Sequence, residues 1–455
     1  MIVFVSDLHL TDGSSGETIH AGAFAAFRER LRDMAYDASW RRDGTYVPIQ
    51  ELHVVLLGDV LDVIRSSKWL TGTVRPWSSP EDPNFMLRVS EITRAILDKN
   101  QKSIAILKSL GDGRVMTLPP ATKAGVPAVV SRDPLAPERI PIKVHLYYVV
   151  GNHDWFFHVP GPAHNSIRQS IVDAIGLDQP ADAPFPHDPF ESDALREVFR
   201  AHRVYARHGD IFDSFNYDQD RNASSLGDAI VVELLNGFPD EVQKRLGGEL
   251  PEDCTRGLKE IDNVLPLLIT PVWITGLLRR TCPDPMAKQV KAIWDELVDR
   301  FLGLEFVQGH HSVKQLFDNV TKLEWALKFS KGVSLNNLSA IVAWCKERLG
   351  MQEGAFYQNA FTEAEFKNRR ARYIVYGHTH HHEVIPLDTV QMDSGLLEQI
   401  YINAGTWRAV HELAQLQPDQ QEFVGYRVMT YLAFFKEGER KGRGFEAWSG
   451  TLGRS

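Results

Sequence analysis

The 455-residue chain holds only three cysteines, Cys254, Cys282 and Cys345, widely spaced and in no metal-binding pattern. That excludes a disulfide-stapled scaffold and a thiolate metal motif. It favours a reducing compartment, so a cytoplasmic location is expected. No stretch reaches the roughly 18–20 uninterrupted apolar residues of a membrane span. The nearest, VLPLLITPVWITGLL from Val264 to Leu278, is short and contains two prolines. The opening MIVFVSDLHL is too short, and charged too early, for a signal peptide. Positive charge is also in deficit, with 50 Lys+Arg against 59 Asp+Glu and a formal net charge of -9. Such a chain has no global attraction for nucleic acid, although a local basic patch stays open. The remainder is ordinary globular composition, 43% hydrophobic and 24% charged, enough for about three average domains or one large enzyme domain with insertions.

Against that background five short motifs stand out: Asp7-Leu8-His9, Gly58-Asp59, Gly151-Asn152-His153-Asp154, His208-Gly209-Asp210 and Gly377-His378-Thr379-His380. Each follows a β-prone run: Ile2–Ser6, Leu52–Leu57, Val144–Val150, the weaker Arg203–Arg207, and Tyr373–Tyr376. Continuous Val/Ile/Leu/Tyr runs fit strands buried on both faces. The carboxyl ends of such strands are where open α/β sheets carry ligands.

The residue types point to two metal ions. Two divalent ions about 3.5–4 Å apart lower the pKa of a water, orient it and neutralise phosphoryl oxygens. Asp59 is the natural bridging carboxylate. Asp7 and His9, two apart at a strand end, point the same way and suit the first ion. Asn152 offers an amide oxygen, and His208, His378 and His380 offer imidazoles. Oxygen and nitrogen ligation without thiolate suits manganese, iron or zinc. Gly58, Gly151, Gly209 and Gly377 permit sharp turns and close backbone approach.

Between the strands the texture turns helical at Ala21–Tyr36 and Phe85–Leu110, then looser from Gly111 to Pro141, with room for a short hairpin. Residues 214–371 carry helix-like spacing at Ser224–Leu235, Ile293–Phe301, Leu323–Phe329 and Leu338–Arg348, with an N-cap among Asp220–Ser225 and a stop at Gly237. Strand texture returns at Val384–Leu387, Gln399–Ala404, Tyr426–Phe435 and Gly444–Trp448. The expected organisation is a core in two parts, 1–213 and 372–455, with a mostly helical cap inserted at 214–371.

The motif set, D-x-H, G-D, G-N-H-[DE], a later His and G-H-x-H, resembles the calcineurin-like metallophosphoesterase superfamily over about residues 1–215 and 372–450. The resemblance implies a four-layer αββα sandwich and an α/β fold class. It implies a first metal held by Asp7, His9 and His380, a second by Asn152, His208 and His378, and Asp59 between them. His153 would act as general acid or stabilise transition-state charge, with Asp154 orienting it and raising its pKa. Val63 stands where the protein phosphatases of the superfamily carry Arg after the acidic residue, which argues against that branch. Ser6-Asp7-Leu8-His9-Leu10 and the helical insert are similar to the UDP-diacylglucosamine pyrophosphatases. Those have Arg where this chain has His153, and their insert is smaller, so their substrate is not carried over. The expected reaction is attack on phosphorus by hydroxide generated at the metals, in a phosphodiester or pyrophosphate bond of a small molecule. Alternatives are a metal-dependent nuclease and a catalytically silent binding protein on the same fold.

Other residues have blander readings beside functional ones. Asp62, Asp210 and Asn403 are candidates to lie near the ligands or the substrate, with Asp210 or Asp213 as acceptor for His208. Asn403–Trp407 either lines the site or is a plain turn. His381 and His382 are expected outside the ligand set, and His158 and His164 on a solvated loop. His20, His53, His145 and His411 are expected to be structural. The basic run Lys367–Arg372 either draws a polyanion or closes a helix. Val264–Leu278 is expected in the core of the cap, and Lys436–Arg443 at a solvated hairpin tip.

Overall fold

The computed structural model describes residues 1–264, 269–310, 327, 356–393, 395–414 and 422–452. The apolar runs form strands β1 (Ile2–Val5), β2 (Glu51–Leu57), β3 (Thr117–Leu118), β4 (Ile140–Pro141), β5 (Lys143–Val149), β6 (Val204–Ala206), β7 (Tyr373–Tyr376), β8 (His382–Met392), β9 (Gly395–Ala404), β10 (Ala409–Leu413), β11 (Phe423–Phe434) and β12 (Phe445–Thr451). In one sheet β5, β2 and β1 lie side by side and parallel, β11 runs antiparallel to β1, and β10 and β12 pair with β11. The other sheet is ordered β6-β7-β9-β8, with β6, β7 and β9 parallel and β8 antiparallel. β3 and β4 make the short antiparallel pair within 111–141.

Helices α1 (Ala21–Ala38), α2 (Pro83–Lys99), α3 (Gln101–Ser109), α4 (Pro162–Ile175) and α5 (Asp193–Ala201) connect the core strands. Strand alternation sorts the side chains into layers. Ile2 and Phe4 of β1 join Val55, Leu57 and Val149 on one face, and meet Ala206, Val375, Ile402 and Ala404 of the second sheet there. Val3 and Val5 turn the opposite way, onto Phe27 and Leu31 of α1, Ile92 of α2 and Ile171 of α4. The far face of the second sheet, with Tyr205, Ile374 and Tyr401, packs on Ala360 and Phe366. Two facing sheets thus carry helical segments on their outer sides, a mixed α/β arrangement.

The described part of 214–371 is helical: α6 (Leu226–Ala229), α7 (Gly237–Leu246), α8 (Glu252–Leu258), α9 (Thr270–Thr281), α10 (Asp284–Leu302) and α11 (Glu305–Gly309). Val232, Trp273, Trp294 and Phe301 belong to the same apolar cluster as the outer face of β1, so these helices share its core. Of the stretch Val264–Leu278, Val264 and Ile269–Leu278 are described and all but Pro271 are buried, in this shared core rather than in one of the insertion's own; 265–268 lie outside the described residues. No described helix is long and apolar enough to cross a membrane.

Several expectations need correction. Phe85–Leu110 is two helices, broken at Asn100, whose side-chain amide donates to Thr11 O and Ile96 O at 2.8 Å each. Gly237 does not stop its helix. Ser225 and Asp228 form a capping box, a π-helical stretch covers Ile230–Asn236, and Gly237 continues at φ -66 into α7. The sequence pattern gives no sign of β10. The 436–443 tip is not simply solvated, because Glu439 is buried 3.5 Å from the Met1 amino group. The helices expected at Leu323–Phe329 and Leu338–Arg348 fall almost wholly outside the described residues.

Candidate metal centre

Five strands end at one place. Asp7 follows β1, Asp59 follows β2, Asn152 follows β5, His208 follows β6 and His378 follows β7. Because β1, β2 and β5 are parallel, and β6 and β7 are parallel, their carboxyl ends bring all five motifs together. Backbone bonds lock the junction: His9 N to Asp59 O at 2.9 Å, Gly377 N to His208 O at 2.8 Å and Trp407 N to Asp7 O at 3.1 Å.

Asp7, His9 and His380 offer ligand atoms within 4.8 Å of one another, and so do Asp7, Asp59 and His208. His380 Nε2 lies 3.0 Å from His9 Nε2 and 3.2 Å from Asp7 Oδ1. His208 Nε2 lies 3.2 Å from Asp59 Oδ2. On that side Asn152 Oδ1 sits 3.1 Å from His378 Nδ1, and the His208 and His378 rings are 5.4 Å apart. All seven expected ligands are therefore gathered, with Asp59 near both groups: its Oδ2 is also 3.8 Å from His9 Nε2.

The backbone is bent to achieve this. Asp7, His9, Asp59, His378 and His380 all have positive φ, between 43° and 69°. L-residues rarely adopt that region, and each such residue costs roughly 1–3 kcal/mol that the surrounding structure must offset. The glycines make room: a Cβ on Gly151 would come within 2.3 Å of Asp59 Oδ1, and one on Gly377 within 2.1 Å of Ser6 Oγ.

The donor set fits divalent cations. Despite those near neighbours, Asp7 Oδ1 and His208 Nε2 are buried and make no well-aligned hydrogen bond among the described residues, and buried polar atoms are normally paired. Burial alone would raise the Asp7 carboxyl, yet the imidazoles of His208, His380 and His9 hold it well below the usual range. Burial opposes charge on His208, but Asp59 and Asp7 drive its pKa well upward. Carboxylates and imidazoles packed this way call for positive charge between them. The buried Asp/His clusters can hold a metal ion.

The supporting residues differ from expectation. Asp154 makes no hydrogen bond to the His153 ring among the described residues. Its carboxylate takes hydrogen bonds from Val60 N at 2.8 Å, Gly151 N at 2.6 Å and Tyr148 OH at 2.6 Å, so it shapes the loops instead. Burial and Asp59 raise its pKa to about 6. The partner of His153 is Asp62, with Oδ1 2.7 Å from Nδ1, while Asp62 Oδ2 lies 2.8 Å from His9 Nδ1. Burial disfavours the charged His153 ring, but Asp62 and Asp59 outweigh it and lift the pKa to about 10. Neither Asp210 nor Asp213 serves His208, whose Nδ1 lies 3.0 Å from Leu57 O. Asp210 accepts from Arg221 at 2.6 Å, and Asp213 sits 3.0 Å from His378 Nε2. Asn403 is wholly buried. Its amide donates to Gly377 O at 2.8 Å and its oxygen accepts from Gly405 N at 3.0 Å, so it braces the last motif from behind.

His382 Nδ1 lies 2.8 Å from Asn403 O, and His20 caps α1 by accepting from Gly22 N. His164 is buried rather than solvated, and burial lowers its pKa to about 4. The three arginines of the basic run pair within the chain: Arg369 with Asp388 at 2.7 Å, Arg370 with Glu365 at 3.1 Å and Arg372 with Glu398 at 2.7 Å. Sequence reasoning missed a buried cationic group beside His9. Arg408 donates to Asp262 at 2.6 Å and to Asn263 at 2.7 Å, and Arg65 Nε lies 3.4 Å from Asp262. A scan against family models finds no match to the chain, and a search of curated proteins also finds none.

Proposed function

We propose that this chain is a dinuclear-metal-dependent hydrolase of phosphate esters, built on the αββα sandwich of the calcineurin-like metallophosphoesterases. The observation that carries this reading is the convergence of seven ligand-type side chains from five distant motifs: Asp7, His9, Asp59, His208 and His380 directly, and Asn152 and His378 beside His208, with five of the seven at strained positive φ. Strain concentrated in this way is a hallmark of functional sites. Asp7, His9 and His380 would hold one ion, Asn152, His208 and His378 the other, and Asp59 would bridge. Bound manganese, iron or zinc would supply an activated water and neutralise phosphoryl charge.

The chain's own residues do the rest. Asp62 accepts from His9 Nδ1, which turns Nε2 of that ring toward the cluster. The other oxygen of Asp62 fixes Nδ1 of His153 and favours imidazolium. That leaves Nε2–H of His153 to donate to a phosphoryl or leaving oxygen. The backbone N–H of His153 donates to Asp59 Oδ1 at 2.9 Å and so sets the ring's distance from the bridging carboxylate.

The favoured substrate is a phosphodiester or pyrophosphate in a small molecule. Residues at the start of the insertion reach the ligand loops: Asn216 accepts from Asn152 Nδ2 at 3.2 Å, and Arg221 donates to Gly151 O at 3.4 Å. The insertion therefore borders the second ligand group, where it would enclose a leaving group. The nuclease alternative loses its main support, because the arginines of the basic run are paired within the chain. Turnover of bis- and mono-p-nitrophenyl phosphate with added manganese tests the reading. Diester turnover is expected, and monoester-only activity would overturn the diesterase assignment.

A further inference from the structure

We propose that His158, His187 and Glu191 form a further metal site, outside the seven-ligand cluster, that takes a zinc-class divalent cation. The three offer ligand atoms within 4.8 Å of one another. Glu191 Oε2 lies 3.4 Å from His158 Nε2, and Oε1 lies 2.9 Å from His187 Nδ1. Ligands of a tetrahedral zinc, bound at about 2.0–2.1 Å, stand about 3.3 Å from one another, between those two values. The rings are 5.1 Å apart and nearly perpendicular, at 87°. Both face the same carboxylate.

The surroundings prepare the ligands. His158 Nδ1 is 2.8 Å from Asn222 Oδ1, an acceptor, so that nitrogen carries the proton and Nε2 is turned toward Glu191. A hydrogen bond that commits one ring nitrogen and frees the other is the usual support of a metal-binding histidine. Glu191 is fixed in turn, because His187 N donates to its Oε2 at 3.0 Å. The turn Pro189–Glu191 is capped by Asp188, which accepts from Tyr205 OH at 3.0 Å and ties the turn to β6. The three side chains are 15%, 22% and 37% exposed, so a cation can enter and a water can complete the shell. Two imidazoles and one carboxylate suit zinc, cobalt or nickel rather than magnesium or calcium, which prefer oxygen ligands. A cation here would join the loop behind His153, through His158, to Asn222 at the start of the insertion.

The test is a metal count. The metal-stripped full chain is loaded with zinc, freed of excess by gel filtration and analysed for bound zinc, in parallel with His187→Ala, Glu191→Gln and Asp59→Asn. His187→Ala and Glu191→Gln should each hold one zinc fewer than the wild type. Glu191→Gln preserves size and the acceptor for His187 N–H, so its loss cannot be put down to misfolding. The cobalt spectrum of the wild type minus that of His187→Ala should show a visible absorption band, and the same difference should persist in the Asp59→Asn background. Equal zinc counts in the wild type, His187→Ala and Glu191→Gln would overturn the proposal, as would loss of that difference in the Asp59→Asn background.

Discussion

Strand β2 has buried histidines at both ends, and the two ends treat them in opposite ways. At its carboxyl end, Asp59 and Asp62 are buried among His9, His153 and His208. At its amino end, His53 pairs in register with His145 of β5. Their rings stack 5.0 Å apart, and His202 lies 6.1 Å from His53. The carboxylates near that stack, Glu51 and Asp178, are 50% and 42% exposed and lie 3.9 Å and 3.3 Å from the rings. Burial disfavours an imidazolium at both ends. Buried acids reverse the outcome for His9, His153 and His208 at one, with His153 lifted to about 10, although burial still holds His380 there at about 4; at the other, His53 and His202 fall to about 3. Of these histidines, only those beside a buried carboxylate are pushed toward the charged form.

The sharpest way to break the carboxyl end is Asp59→Asn. That carboxylate lies near both ligand groups, so its loss should lower diester turnover at least about 10³-fold and cut manganese content, as measured by turnover and elemental analysis. A variant with full activity would remove Asp59 from the centre. Asp62 and Asp213 compare two supports of unequal reach. Asp62 is fully buried and serves two rings, whereas Asp213 serves His378 alone and is 31% exposed. An asparagine at 62 presents an N–H to one of two ring donors, so Asp62→Asn should lower kcat about 10²-fold even at saturating manganese. Asp213→Asn should instead weaken metal binding about 10-fold and recover when manganese is raised. If both variants recover equally with added metal, Asp62 acts only through His9 and the charged role of His153 is lost.

Legibility in the amino-acid sequence divides along a similar line. The candidate ligands and the strands that carry them can be read there, because both depend on local pattern: apolar runs, glycines and polar residues at fixed spacing. Their supports cannot, because those depend on which loops meet in space. Asp154, adjacent to His153 along the chain, is the natural partner by spacing. In the fold it turns away to satisfy Val60 N and Gly151 N, and Asp62 takes its place from another strand end. Positive φ at Asp7 or His380 likewise has no signature in residue type. The basic run misleads for a related reason: Glu398 and Asp388, which neutralise it, come from the β8–β9 hairpin beyond the last motif.

The amino end of β2 can be tested by acid. His53 is lowered to about 3, first by burial, then by the nearby Met1 amino group and His145. An unfolded chain takes up the proton near 6.5, whereas the folded one resists until about 3. This residue therefore costs stability progressively as pH falls below about 6.5 and costs nothing above it. The site histidines with raised values act in the opposite sense when metal is absent, so the useful quantity is a difference between wild type and variant. In chelator, the urea midpoints of wild type and His53→Gln are compared from pH 7.5 to 5. The variant should gain on the wild type by about 2 kcal/mol over that span, because each pH unit below 6.5 is worth up to about 1.4 kcal/mol. Parallel profiles would mean that the stack admits protons as readily as water does. The contrast between the two ends of β2 would then rest on the carboxylates alone, without burial.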